Sequence, residues 1–184
     1  GFDFKMNKEG GRNERMNKVG SAPYVAWALM VGHHLDKSQE KLTLARSVMD
    51  WYVKNPGRYE LTHMMGPLTA ARLNTEYNSK IDLAKVMEAW FGAGDKKTHP
   101  WQITAGTSWG GITCDGIDGA KWNMKDKSFH AFTMGTLNGP AWLIPVARYD
   151  QAHARTIARY ALHAAASSRL FQGYKLDWEH QDHK

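Results

Sequence analysis

APYVAWALMVGHHLDKSQEKLTLARSVMDWYVK, running from Ala22 to Lys54, is the stretch that decides the fold. Pro23 suits the first turn of a helix, where its missing N–H has no intrahelical partner to lose. The apolar run that follows predicts a helix from Pro23 to Leu35, poor in charge and rich in small residues, hence buried on most sides. Asp36-Lys37 makes a tight polar turn, and a second helix is expected at once, from Ser38 to Lys54. Within it Leu42, Ala45, Val48, Met49 and Tyr52 recur at helical spacing, with Lys41, Arg46 and Asp50 between them, as in an amphipathic outer helix. So short a connection forces the two helices to lie antiparallel.

Outward from this pair the same pattern returns. Ala22-Pro23 lines up with Gly66-Pro67 and with Gly139-Pro140, which predicts further inner helices from Pro67 to Tyr77 and from Pro140 to Tyr149. Tight turns at Asn78-Ser79 and Asp150-Gln151 lead into outer helices from Ser79 to Phe91 and from Gln151 to Ser168. The expectation is an all-α chain of three antiparallel helical hairpins with a long Gly/Trp-rich loop. Buried helices alternating with amphipathic ones resemble the α/α-toroid, or six-hairpin, architecture of many glycoside hydrolases and polysaccharide lyases. The resemblance covers Val19 to about Phe171 and rests on architecture, without a family-specific catalytic motif. It implies a carbohydrate-active enzyme, of which residues 1–184 form one helical-hairpin domain and a fragment. It also implies a secreted or periplasmic location and a polysaccharide or oligosaccharide substrate.

Composition narrows the alternatives. Hydrophobic residues make up 42% of the 184, enough for a core in one domain. The longest apolar run, Ala22 to Gly32, falls short of the roughly 20 residues that span a bilayer, and Gly1 to Gly20 lacks a signal-peptide core. Cys114 stands alone, which excludes an internal disulfide and a thiolate cluster. The net charge of +6 is scattered, with no dense basic run, so neither nucleic acid nor a membrane is the expected partner. No cofactor is implied. His180, Asp182 and His183 near the end read as solvated residues instead of a metal site.

In a hairpin array the segments leading into inner helices gather at one end: Gly1 to Ala22, Asn55 to Gly66, Gly92 to Gly139, and the tail after Phe171. Long loops on a rigid scaffold commonly carry function. The third, at about fifty residues, is far above the usual connection length. It has Trp101, Trp109, Trp122, Ile103, Ile112, Ile117 and Phe129 to pack and glycines for turns, and Thr104 to Gly119 suits a short hairpin. Asp115 and Asp118 lie in it, flanked by Trp109 and Trp122, as carboxylates between stacking platforms. Hydrolysis of a glycoside needs two carboxyl groups, and Glu14, Glu60 and Glu179 on the other segments are candidates for the second. The same two aspartates also read as turn formers that bond local backbone N–H groups.

Elimination from a uronic acid asks instead for groups that neutralise the carboxylate and move a proton. Arg12, Asn13, Arg15, Tyr59, His63 and His130 fit that need. A helical-repeat module that docks a protein partner is the reading from a different class. Among the remaining residues, Trp27, Trp51, Trp90 and Trp142 are expected in the core, His33-His34 at a helix C-terminus, and Arg155, Arg159 and His163 on a wet outer face.

Overall fold

The computed structural model describes residues 2–3, 8–9, 20–57, 62–91, 101–103, 107–109, 112–123, 128–131 and 133–168. The protein is mostly helical. Six helices are described: α1 (Ala22–Asp36), α2 (Gln39–Lys54), α3 (Gly66–Tyr77), α4 (Leu83–Phe91), α5 (Thr133–Leu143) and α6 (Ala154–Ser168). A 3-10 turn, Thr62–Met65, leads into α3, and another, Ile144–Arg148, prolongs α5. Among the described residues no helix is long and apolar enough to cross a membrane.

The stretch between α4 and α5 departs from an all-α description. It holds β3 (Trp101–Ile103), β4 (Thr107–Trp109), β5 (Ile112–Cys114), β6 (Asp118–Asn123) and β7 (Ser128–Ala131); β1 (Phe2–Asp3) and β2 (Lys8–Glu9) precede α1. β6 is the central strand of an antiparallel trio in the order β3-β6-β7, pairing Ile103 with Asp118 and Ala120 with His130. β4 and β5 make the hairpin expected within Thr104 to Gly119, with Trp109 opposite Ile112. The alternating Ile, Thr and Trp residues here suit a pleated surface better than a helix.

Helix boundaries follow from local chemistry. Pro23 and Pro67 lie in the first turns of α1 and α3, as their sequence positions predict. Lys37 takes a left-handed backbone, φ 60°, and its N–H closes α1 by donating to the His33 carbonyl at 2.7 Å. Ser38 then caps α2, its Oγ accepting from the Lys41 N–H at 3.4 Å, while Asp36 pairs with the Lys41 ammonium. The Lys41 ammonium, and then the Ser38 N–H that donates to Asp36 Oδ1 at 3.0 Å, hold the exposed Asp36 carboxyl below the usual carboxylate range. Replacing Ser38 by alanine is expected to cost about 1 kcal/mol, read from urea unfolding.

The third proline behaves differently. Pro140 lies inside α5, which begins at Thr133, seven positions ahead of the predicted start. The alignment of Gly139-Pro140 with the other two pairs is therefore incorrect, because this glycine serves packing and not initiation. A Cβ at Gly139 would overlap the Tyr160 hydroxyl and sit 3.3 Å from Trp90 Cζ2. The helix runs three residues past Pro140 before tightening into the 3-10 turn, where Pro145 lies at the start.

Two apolar clusters share the interior. The first joins α1, α2, α3 and the start of α4 through Ala26, Met30, Leu42, Ala45, Met49, Tyr52, Leu73 and Val86. The second joins Met64, Leu68, Met87 and Trp90 to Leu143, Val146, Ile157 and Tyr160. Trp27 packs against both, meets Trp142 edge to face at 5.4 Å, and carries the Arg72 guanidinium 5.2 Å from its ring centre. Arg72 also grips Glu76 through two hydrogen bonds of 2.7 and 2.8 Å, which lower the Glu76 pKa. Trp90 is in the core as expected; Trp27 and Trp142 are half-buried, and Trp51 is 39% exposed on α2, contrary to expectation. Residue 51 neighbours the buried Tyr52 but turns about 100° from it on the helix.

Candidate functional site

Asp115 to Asp118 crosses from the β4–β5 hairpin to β6 and is fastened to two helices. Ser167, near the C-terminal end of α6, accepts from the Asp115 N–H at 3.1 Å and donates to the Asp115 carbonyl at 2.9 Å. Thr136, in the first turns of α5, accepts from the Asp118 N–H at 2.9 Å. Between these bonds Gly116 adopts φ +79° and comes so close to α6 that a Cβ there would sit 2.9 Å from the Ala164 nitrogen. Ile117 is buried beside it. The segment is thus held by backbone hydrogen bonds at both ends and by a glycine contact in the middle.

The two aspartates end up in different surroundings. Asp115 is half-buried, and its Oδ2 lies 3.8 Å from His163 Nδ1 on α6. Asp118 is 1% exposed at the beginning of β6. Both aspartates have their backbone N–H groups bonded to hydroxyls contributed by distant helices. His163 belongs to the row Arg155, Arg159, His163, which is exposed as expected. Continued by four residues, that row reaches Ser167, so the helical spacing already contained both α6 residues that meet Asp115.

His63 lies in the 3-10 turn ahead of α3 and is 2% exposed. Its ring centre is 5.3 Å from that of Trp90, whose ring in turn meets Tyr160 edge to face at 6.2 Å. It is a core residue at the base of this end of the helices, enclosed and not open to solvent. His130 and Trp109 are strand residues of β7 and β4, and Trp122 belongs to β6; the roles expected of their side chains lie outside the described residues. Arg12, Asn13, Glu14, Arg15, Tyr59, Glu60, Glu179, His180, Asp182 and His183 also lie outside the described residues.

At the opposite end of α1, His33 is buried, with its Nδ1 2.8 Å from the Ser38 carbonyl and its ring against Tyr77. Its place in the last turn of α1 is the one expected. Among the described residues no group of three His, Cys, Asp or Glu side chains is arranged to hold a metal ion.

Chemically, the best-built feature is a carboxylate of intermediate exposure, presented on a fastened backbone beside an imidazole. An ionised carboxylate in such a place can take a proton from water or attack an electrophilic carbon. Ser167 does not complete a nucleophilic triad, because its hydroxyl is engaged by the Asp115 backbone in both directions. Compared with known proteins, the chain matches no family model, no curated protein and no solved structure.

Proposed function

We propose that the chain is part of a carbohydrate-active enzyme of the α/α-toroid kind that cleaves a polysaccharide by hydrolysis. The pairs α1–α2, α3–α4 and α5–α6 act as three antiparallel hairpins. α1, α3 and α5 form the inner layer, supported by the contacts of α3 with both α1 and α5. The observation that carries the reading is the Asp115 carboxylate, half-buried, fastened through Ser167 and 3.8 Å from His163. In this mechanism Asp115 is the ionised member of the carboxyl pair, activating water or attacking the anomeric carbon, and Glu14, Glu60 or Glu179 is the acid. Trp109 and Trp122 give stacking faces to the sugar, with Arg12, Asn13 and Arg15 as polar contacts. Asp118 serves mainly to hold the segment. The burial of His63 favours hydrolysis over elimination, because it withdraws one proton-transfer candidate from the uronic-acid scheme.

The test is a panel of neutral and acidic polysaccharides read by reducing ends and by ultraviolet absorbance. Hydrolysis predicts new reducing ends on a neutral glycan without an unsaturated product. Asp115→Asn is expected to lower that rate on the order of 1000-fold while the unfolding transition shows that the fold persists. Activity that survives this substitution removes Asp115 from the mechanism. Cleavage only of uronic acids, with an absorbing product, moves the reading to elimination by Tyr59 and His130.

A further inference from the structure

The outward side of α6 is a ridge with positive charge and no negative charge. Arg155, Arg159 and His163 are all exposed, each four residues from the last, so they step along one side of the helix at intervals of about 6 Å. The far side holds the buried Ile157, Tyr160 and Ala164. No acidic residue occurs from Thr133 to Leu143 on α5 or from Ala154 to Ser168 on α6. Asp150, just ahead of α6, is taken by His153 and by the Ala152 N–H. The other described arginines are engaged: Arg46 by Ser79 and the Tyr77 carbonyl, Arg72 by Glu76, and Arg148 over the Tyr149 ring. Among the described residues Arg155 and Arg159 have no such side-chain partner.

The ridge leads to the candidate site. Each step of four residues also turns the row about 40° round the helix, toward the edge where Ser167 holds Asp115. At its end His163 Nδ1 lies 3.8 Å from Asp115 Oδ2. A polymer lying at Asp115 can therefore continue along α6 past Arg159 to Arg155, about 12 Å beyond His163. In the layering proposed above α6 is an outer helix, and further hairpins of a longer array would join beside it and leave this outward side open.

We propose that the ridge receives a glycan bearing carboxylate or sulfate groups, which lie against Arg155 and Arg159 while a neutral sugar of the same chain lies at Asp115. Guanidinium ions stay charged at any pH near neutrality, and their planar fork matches the oxygens of either anion. At Asp115 the sign is opposite. An anionic group there would be repelled by the carboxylate, so the charges belong on sugars further along the ridge. The inference rests on the reading of Asp115 as part of a glycan-cleaving site and adds to it the class of polysaccharide.

The experiment uses the full chain and three polymers of one backbone: dextran, carboxymethyl-dextran and dextran sulfate. Affinity electrophoresis is expected to show retention by an anionic polymer and none by dextran. Tighter retention by carboxymethyl-dextran identifies the anion as carboxylate, and tighter retention by dextran sulfate identifies it as sulfate. Arg155→Gln with Arg159→Gln is expected to raise the Kd at least ~10-fold, while Lys54→Gln with Lys80→Gln, which removes the same charge from other exposed positions, raises it less than ~2-fold. Circular dichroism checks that the helices persist. A readout that needs no variant is salt: binding by the unaltered chain should weaken at least ~10-fold between roughly 0.05 and 0.5 M. Equal retention by dextran, equal effects of the two double variants, or binding insensitive to salt overturns the proposal. Polyglutamate held as tightly as the anionic dextrans, and released by the same arginine changes, assigns the ridge to an acidic protein and overturns the glycan. Arginine-dependent retention in a chain that cleaves no glycan sinks only the function proposed above. Cleavage of a neutral glycan without arginine-dependent retention sinks only this inference.

Discussion

Replacing Gly116 with alanine is expected to destabilise the protein by about 2–5 kcal/mol, since left-handed backbone costs a non-glycine residue ~1–2 kcal/mol and forced overpacking typically ~1–3. The two causes act together here. At φ +79° an L side chain is strained whatever the space, and the built Cβ meets the Ala164 nitrogen at 2.9 Å, a backbone atom that cannot rotate away. Asparagine tolerates left-handed backbone better than alanine but carries the same Cβ. If backbone strain dominates, Gly116→Asn is the milder change; if the contact with α6 dominates, the two are equally damaging. Urea unfolding followed by circular dichroism separates the outcomes. Either variant should also impair any activity that uses Asp115, because the Ser167 hydrogen bonds cannot persist once the segment lifts from α6. Wild-type stability in Gly116→Ala would show that the segment is not held in this way.

The second large effect is expected at Gly139. Glycine to alanine inside a helix normally gains up to ~1 kcal/mol. Here the added methyl overlaps the Tyr160 hydroxyl and presses on Trp90, so the sign reverses, and a net loss of about 2 kcal/mol is expected. Tyr160 has little room to retreat, because Phe91 lies 5.5 Å from its ring on one side and Trp90 6.2 Å on another. Removing the hydroxyl removes the overlap. Gly139→Ala combined with Tyr160→Phe should therefore be at least ~1 kcal/mol more stable than the sum of the two single changes predicts. Additive behaviour in that cycle would mean the glycine is there for another reason.

These two glycines also show how far the sequence could be read. Periodicity located α1, α2 and α3 closely, because Pro23, Pro67 and the Ser38 cap act within one helical turn of themselves. Gly139-Pro140 looked the same locally and meant something else, since its reason is a tyrosine twenty-one positions away on another helix. α4 begins at Leu83 instead of Ser79, because Asn74 holds the Ile81 backbone through two 2.8 Å hydrogen bonds and keeps the turn extended. Trp51 was placed in the core by its type, while its angular position on α2 sends it outward.

At the candidate site the pattern is similar. The aspartates could be picked from composition and from their tryptophan neighbours, but nothing local distinguishes Asp115 from Asp118. They are fastened by different helices, Asp115 through Ser167 and Asp118 through Thr136, hydroxyls 52 and 18 residues further along. His63 resembled a loop residue because Asn55 to Gly66 is polar, yet it is buried, with its ring against Trp90 of α4.

The division of the interior into two clusters bears on the order in which the chain acquires structure. Every member of the first cluster comes from residues before Trp90, and its four helices are joined by connections of two, eleven and five residues, so little loop-closure entropy opposes its assembly. The second cluster must bring Met64 and Trp90 against Ile157 and Tyr160 across the whole strand-bearing stretch. During synthesis the first half can therefore condense around Met30 and Met49 while the second is still being made. Trp27, which packs on both, then presents a ready surface on which Trp142 and the late helices dock.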